Sequence, residues 1–199
     1  MKPGSPRLTF QPLTPDRWPE LEQLFGERGA CGGCWCMAWR LPRSAWEAGK
    51  GKKNRRALHR IVEGPLPPGV LAYSGIEPVG WCAIAPRPEY VVLGRSRVLA
   101  PVDDQSVWSI SCLFVARPFR RHGISSRLID AAAKFARQHG AKIIEGYPVE
   151  PYSEKVPDVF AWTGLVAAFE QAGFREVARR SKSRPIMRRY FGRTRTKSR

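Results

Sequence analysis

No stretch of this sequence approaches the roughly 18 uninterrupted apolar residues that a membrane span needs. Met1-Lys2-Pro3-Gly4-Ser5-Pro6-Arg7 lacks the apolar stretch of a signal peptide, so a cytoplasmic location is expected. No internal repeat occurs, and low complexity is confined to the last residues. Acids are scarce, 17 Asp and Glu against 34 Lys and Arg, which leaves a formal charge of +17. Core material is plentiful: 7 Trp, 5 Tyr and 9 Phe among 199 residues exclude a wholly disordered chain. A chain this long buries about 70% of its extended surface and needs no disulfide to hold a core. One domain is the default at this length.

The positive charge is uneven. Residues 40–60 carry +7 and residues 175–199 carry +10, which leaves the remainder neutral. A neutral body with two basic patches fits an anionic ligand, nucleic acid or a membrane surface. Residues 192–199 have no apolar anchor and read as a flexible basic tail, after an expected domain of 1–191. Within that domain, residues 14–63 read as helical and residues 70–191 as the sheet-containing core.

Local patterning gives the element order. Leu8–Leu13 reads as a first strand. Asp16 caps a helix to Arg28 that places Trp18, Leu21, Leu24 and Phe25 on one face. A second helix starts at Ser44, breaks around Gly49–Gly51 and resumes through Val62. Strands follow at Val70–Tyr73, Val79–Ala85 and Val107–Val115, with a short one expected at Tyr90–Leu93. A helical period runs from Gly123 to His139 and stops at Gly140. Ile143–Val149 is a strand, Leu165–Ala172 a helix, and Phe174–Ala178 and Ile186–Tyr190 the last two strands. The fold class is mixed α/β.

The most informative segment is the strand Val107–Val115, followed by Arg120-Arg121-His122-Gly123-Ile124-Ser125-Ser126 at a helix start. N–H groups at a helix start lack intrahelical partners and sit at the positive end of the dipole. Gly123 lets a phosphate approach the backbone, the arginines add charge, and the serines are small. An ordinary strand-to-helix turn has the same outline.

Arg120-x-x-Gly123-x-Ser125, Leu113-Phe114-Val115 before it and Ala168-Phe-Glu-Gln-Ala-Gly-Phe174 after it resemble, in that order and spacing, the GCN5-related N-acetyltransferase (GNAT) superfamily. The match covers about residues 107–178. The resemblance implies a mostly antiparallel sheet of about seven strands flanked by helices and splayed between strands 4 and 5. It implies acetyl-CoA as cosubstrate, with backbone amides of residues 121–126 on the pyrophosphate and Phe114 and Val115 beside the pantetheine arm. The acetyl oxygen would take a backbone N–H near Phe114 or Val115. Direct attack by a bound amine would need no covalent cysteine. Two family positions differ here: Phe169 replaces the usual Tyr acid beside the cofactor, and Ser109 replaces a Glu base on strand 4. Glu145 and Tyr147 are the nearest acid–base types on strand 5, against a solvent-facing Glu and a core Tyr.

Cys31-Gly-Gly-Cys34-Trp-Cys36 carries the Cys-x-x-Cys spacing of metal or redox sites, or else small soft residues lining a loop. Structural zinc needs four ligands and three lie here, so no metal is expected. By the resemblance, this loop and the second helix build the acceptor side, with Cys34, Trp35, Cys36 and Trp39 around the amine. Asp103, Asp104, Glu150 and Asp158 lie in loops that can draw in a cation.

The expected function is acetyl transfer to a small-molecule or protein amine. The alternative is a basic RNA- or ribosome-binding protein that keeps the fold as a binding module, with nucleic-acid contact through the C-terminus. No membrane partner is expected, and the chain reads as a monomer or homodimer.

Overall fold

The computed structural model describes residues 7–150 and 161–192. Seven strands form one sheet in the order β1-β2-β3-β4-β5-β7-β6. These are β1 (Leu8–Pro12), β2 (Gly69–Ser74), β3 (Glu77–Pro86), β4 (Trp108–Val115), β5 (Ile143–Gly146), β6 (Arg175–Arg179) and β7 (Pro185–Tyr190). The helices are α1 (Trp18–Phe25), α2 (Arg43–Ala48), α3 (Lys52–Val62), α4 (Val91–Arg95), α5 (Ile124–Gln138) and α6 (Val166–Gln171). Most of the proposed tail, residues 193–199, lies outside the described residues, as does Asp158.

Strand alternation divides the core. Val70 and Ala72 of β2 and Val79, Cys82 and Ile84 of β3 face α5. Leu71, Tyr73, Trp81 and Ala83 face α1, α3 and the cysteine loop. Helix α5 answers with Leu128, Ile129, Ala132, Ala133 and Ala136, all fully buried. Its apolar stripe supplies the burial that a 15-residue helix needs to persist. Beyond β3, a third cluster gathers Trp39, Tyr90, Leu93, Leu99 and Tyr147.

All neighbouring strands pair antiparallel except β4 and β5, which are parallel over only three residues, Trp108–Ile110 against Ile144–Gly146. The register with β3 shifts between Ala83 and Ile84, so Ser111 bulges from β4. A bulge bends and twists its strand, and here it lies where β4 leaves β5. Phe169 fills the base of the resulting splay. A Cβ on Gly146 would meet its ring at 2.1 Å, so only glycine fits there.

The segment expected as a strand at Tyr90–Leu93 is instead a 3₁₀ turn followed by α4. Pro86 and Pro88 break the extended run, and Arg87 N–H donates to Val107 O, which turns the chain before Tyr90.

Candidate functional site

On β4, Ala116 N–H donates to Val79 O on the β3 side, whereas Leu113 N–H donates to Trp162 O on the splayed side. Alternation therefore turns Phe114 toward β3 and the backbone edge of Val115 toward the splay. Of Phe114 and Val115, it is Val115 whose N–H turns toward the splay. The Phe114 side chain packs away from α5, with its ring edge-on to Phe25 at 5.6 Å.

The following loop ends in two left-handed residues, Arg121 (φ 65°) and Gly123 (φ 70°), and α5 starts without a side-chain cap. Successive N–H groups in such a turn form an anion-binding concavity. Arg121, His122 and Gly123 are exposed, and Ser125 and Ser126 are half-buried. Ser126 Oγ donates to Gly123 O at 2.9 Å, which leaves its own N–H uncapped by a side chain. Ile124 is buried under the helix. Arg120, expected to face the phosphate, donates from Nε to Val115 O at 3.0 Å and so braces the strand end against the loop.

Glu145 and Tyr147 are fully buried rather than solvent-facing. Glu145 accepts from Arg87 at 2.9 Å, from Arg188 Nε at 2.7 Å and from Tyr147 Oη at 2.6 Å. Tyr147 Oη also meets Ser109 Oγ at 2.8 Å, and Arg87 donates to it. Arg188 continues to Asp103 through two bonds of 2.6 and 3.1 Å. Burial and the Glu145 charge push the Tyr147 phenol well above its usual value. The Arg188 guanidinium holds Asp103 down to about 2. The network ties β5, β7 and the loop before β4 together. Asp103 thus has a buried partner, and Glu150 pairs with Arg179.

The acceptor-side residues separate. Trp39 stands at the splay, its ring 5.4 Å from Tyr147 and 5.2 Å from Trp162. Trp35 and Cys36 take left-handed backbone, which directs them differently. Trp35 stacks on Trp18 at 5.8 Å in the core beside α1. Cys36 Sγ lies 3.1 Å from Cys112 Sγ on β4 and accepts from the Trp81 indole at 3.2 Å. Cys34 is half-buried, and burial raises its thiol pKa. The sequence spacing of the Cys-x-x-Cys run is thus not its spatial pairing. Among the described residues, no three His, Cys, Asp or Glu side chains converge as a metal cluster.

A disulfide needs sulfurs about 2.05 Å apart, a small approach from this thiol pair. Mild peroxide is expected to take two protons and two electrons from Cys36 and Cys112, giving one disulfide and two waters. Thiol titration should show two thiols lost, and Cys112→Ser should prevent the loss; an unchanged count in the parent protein overturns this pairing.

Arg87, Arg188, Tyr90, Ser111 and Trp162 belong to this region but carry no local motif. Each arrives through long-range pairing that spacing does not encode.

A search of curated proteins gives no match. The fold resembles the crystal structure of PaiA N-acetyltransferase from Thermoplasma acidophilum in complex with coenzyme A, with TM-score 0.51 and 13% identity over 93% of this chain and 99% of that one. It also resembles a GNAT-family acetyltransferase from Listeria monocytogenes, with TM-score 0.56 and 11% identity over 96% and 99%. The aminoglycoside acetyltransferase AAC(6')-Ib in complex with ribostamycin and coenzyme A gives TM-score 0.53 and 18% identity over 96% and 99%. Identities this low speak for the fold alone, but the sequence profile of the acetyltransferase (GNAT) family matches residues 35–155. That span includes β4, its bulge and the start of α5, and with it the chain belongs to the GNAT acetyltransferase family.

Proposed function

We propose that this acetyltransferase moves the acetyl group of acetyl-CoA to a primary amine by direct attack, with both substrates bound together. The observation that carries the reading is the uncapped, left-handed entry to α5, set just beyond the open edge of β4. The donor set fits a pyrophosphate. Backbone N–H groups from Arg121 to Ser126 meet the positive end of the helix dipole, small serines leave room, and the exposed Arg121 adds charge. The coenzyme A complexes of PaiA and AAC(6')-Ib, on similar folds, support acetyl-CoA as the cosubstrate.

Acetyl-CoA, when bound, supplies a thioester carbonyl. Val115 N–H is the donor assigned to the charge that develops on its oxygen, preset by β4 before any substrate arrives. Phe114 stiffens the strand from the opposite face. Phe169 supports the base of the splay, and Trp39 forms an aromatic wall for the amine. Tyr147 Oη keeps its proton at ordinary pH and is the candidate acid. Glu145 is the candidate base, acting through Tyr147 and Ser109 because both its oxygens already have partners. The family match favours transfer over a nucleic-acid-binding module.

Calorimetric titration with acetyl-CoA is expected to give one site with micromolar affinity. Dephospho-CoA, which retains the pyrophosphate, should still bind. Absence of binding to demonstrably folded protein would sink the proposal.

A further inference from the structure

Among the described residues, four buried side-chain polar atoms have no hydrogen-bond partner: Arg40 Nη2, Tyr90 Oη, Ser111 Oγ and Trp46 Nε1. Buried donors are nearly always paired, and an unmade bond costs about 1–3 kcal/mol. Three of the four meet at one place. The Arg40 guanidinium lies over the Tyr90 ring, 4.8 Å from its centre. Burial pushes the Tyr90 phenol up to about 12, with the Arg40 charge and the neighbouring Ser111 hydroxyl acting against it. The two hydroxyls stand within reach of each other, yet neither has a well-formed hydrogen bond. All three residues are more than nine-tenths buried: Arg40 is 7% exposed, Tyr90 1% and Ser111 2%.

The place is specific as well. Ser111 is the bulged residue of β4, two positions before Leu113, whose N–H faces the splay. Arg40 follows Trp39, the acceptor-side tryptophan that reaches the splay. Arg40 Nη1 already holds Glu89 at 3.2 Å, a carboxylate more than half exposed, while Nη2 points at no acceptor. The site therefore presents N–H and O–H donors beside a fixed positive charge. That combination suits an anionic oxygen acceptor better than a cation or an apolar group.

We propose that Arg40, Tyr90 and Ser111 form an acceptor subsite for a carboxylate, so that the amine substrate is an amino carboxylate. This inference rests on the acetyl-transfer reading. Strand geometry sets the scale: about 3.3 Å per residue puts Ser111 about 7 Å from Leu113 and about 13 Å from Val115. An amine at the splay edge with its carboxylate at Ser111 has several bonds between the two groups. An ω-amino acid meets that requirement and glycine does not. Arg40 charge-pairs the carboxylate, and the two hydroxyls donate to its remaining lone pairs.

The test uses the whole chain and three probes of one length: 6-aminohexanoate, its amide and hexylamine. The Arg40 Nε–H resonance, assigned with Arg40→Lys, is followed by NMR during each titration. Saturation by 6-aminohexanoate at a concentration at least about tenfold below the other two is expected. Ser111→Ala and Tyr90→Phe should each weaken it severalfold without changing acetyl-CoA binding. Equal response to all three probes, or no response, overturns the proposal and leaves the donors to a buried water. Acetyl-CoA calorimetry on the same sample keeps the outcomes separate. If acetyl-CoA fails to bind, the transfer reading falls. If acetyl-CoA binds while the carboxylate leaves Arg40 unmoved, only the subsite falls.

Discussion

Gly123→Asp is expected to weaken acetyl-CoA binding by about a hundredfold or more, a loss of about 3 kcal/mol, while the protein stays folded. Gly123 has φ 70° and ψ 12°, and a Cβ there would meet nothing within 4 Å. Aspartate is among the residues that tolerate this region best, so the cost to the fold is small. The damage is electrostatic, because a carboxylate enters the concavity that the amides of α5 reserve for an anion. Gly123→Asn separates charge from shape: it has nearly the same bulk without the charge and should lose much less. Calorimetry and thermal unfolding of both variants provide the check. An Asp variant that binds as the parent does would remove the pyrophosphate from this loop.

Replacing Glu145 by alanine should cost about 3–5 kcal/mol of stability, because it strips the buried Arg87 guanidinium of its carboxylate and leaves Arg188 with Asp103 alone. Arg87 and Arg188 are 12% and 1% exposed at the side chain, and Glu145 is 0%. Against a typical total of about 5–15 kcal/mol, the melting temperature should fall sharply. Glu145→Gln keeps the volume and part of the hydrogen bonding, so it allows the chemistry to be read separately. If Glu145 takes the amine proton, the Gln variant loses turnover while it keeps acetyl-CoA binding. Normal turnover at every pH, alongside reduced stability, would mean that Glu145 only braces the splay.

The fold was largely legible because its elements announce themselves locally. The apolar period of α5, the stops at Gly140 and Gly173, and the short apolar runs of β2 and β3 each follow from nearest-neighbour physics. The same reasoning missed at Tyr90–Leu93, where β-favouring residues are turned into α4 by two prolines and a backbone bond to Val107. The strand-turn-helix that carries residues 120–126 was legible for a similar reason, being continuous in sequence. The places of Cys34, Trp35 and Cys36 were not. Cys34-Trp35-Cys36 are adjacent in sequence, but left-handed backbone at two of them directs Trp35 into the α1 core and Cys36 against Cys112. Arg87 and Arg188 stand 58 and 43 residues from Glu145, and no spacing rule links them.

The carbonyl of Trp162 on Leu113 N–H, with the Val149–Leu165 bridge beside it, has a bearing on solubility. A strand that parts from its neighbour in mid-sheet offers unpaired N–H and C=O groups to any other extended chain. In this protein a returning segment of the same chain occupies that edge. At Leu113 the edge that would otherwise be a template for another chain is capped by a single backbone carbonyl of the same chain.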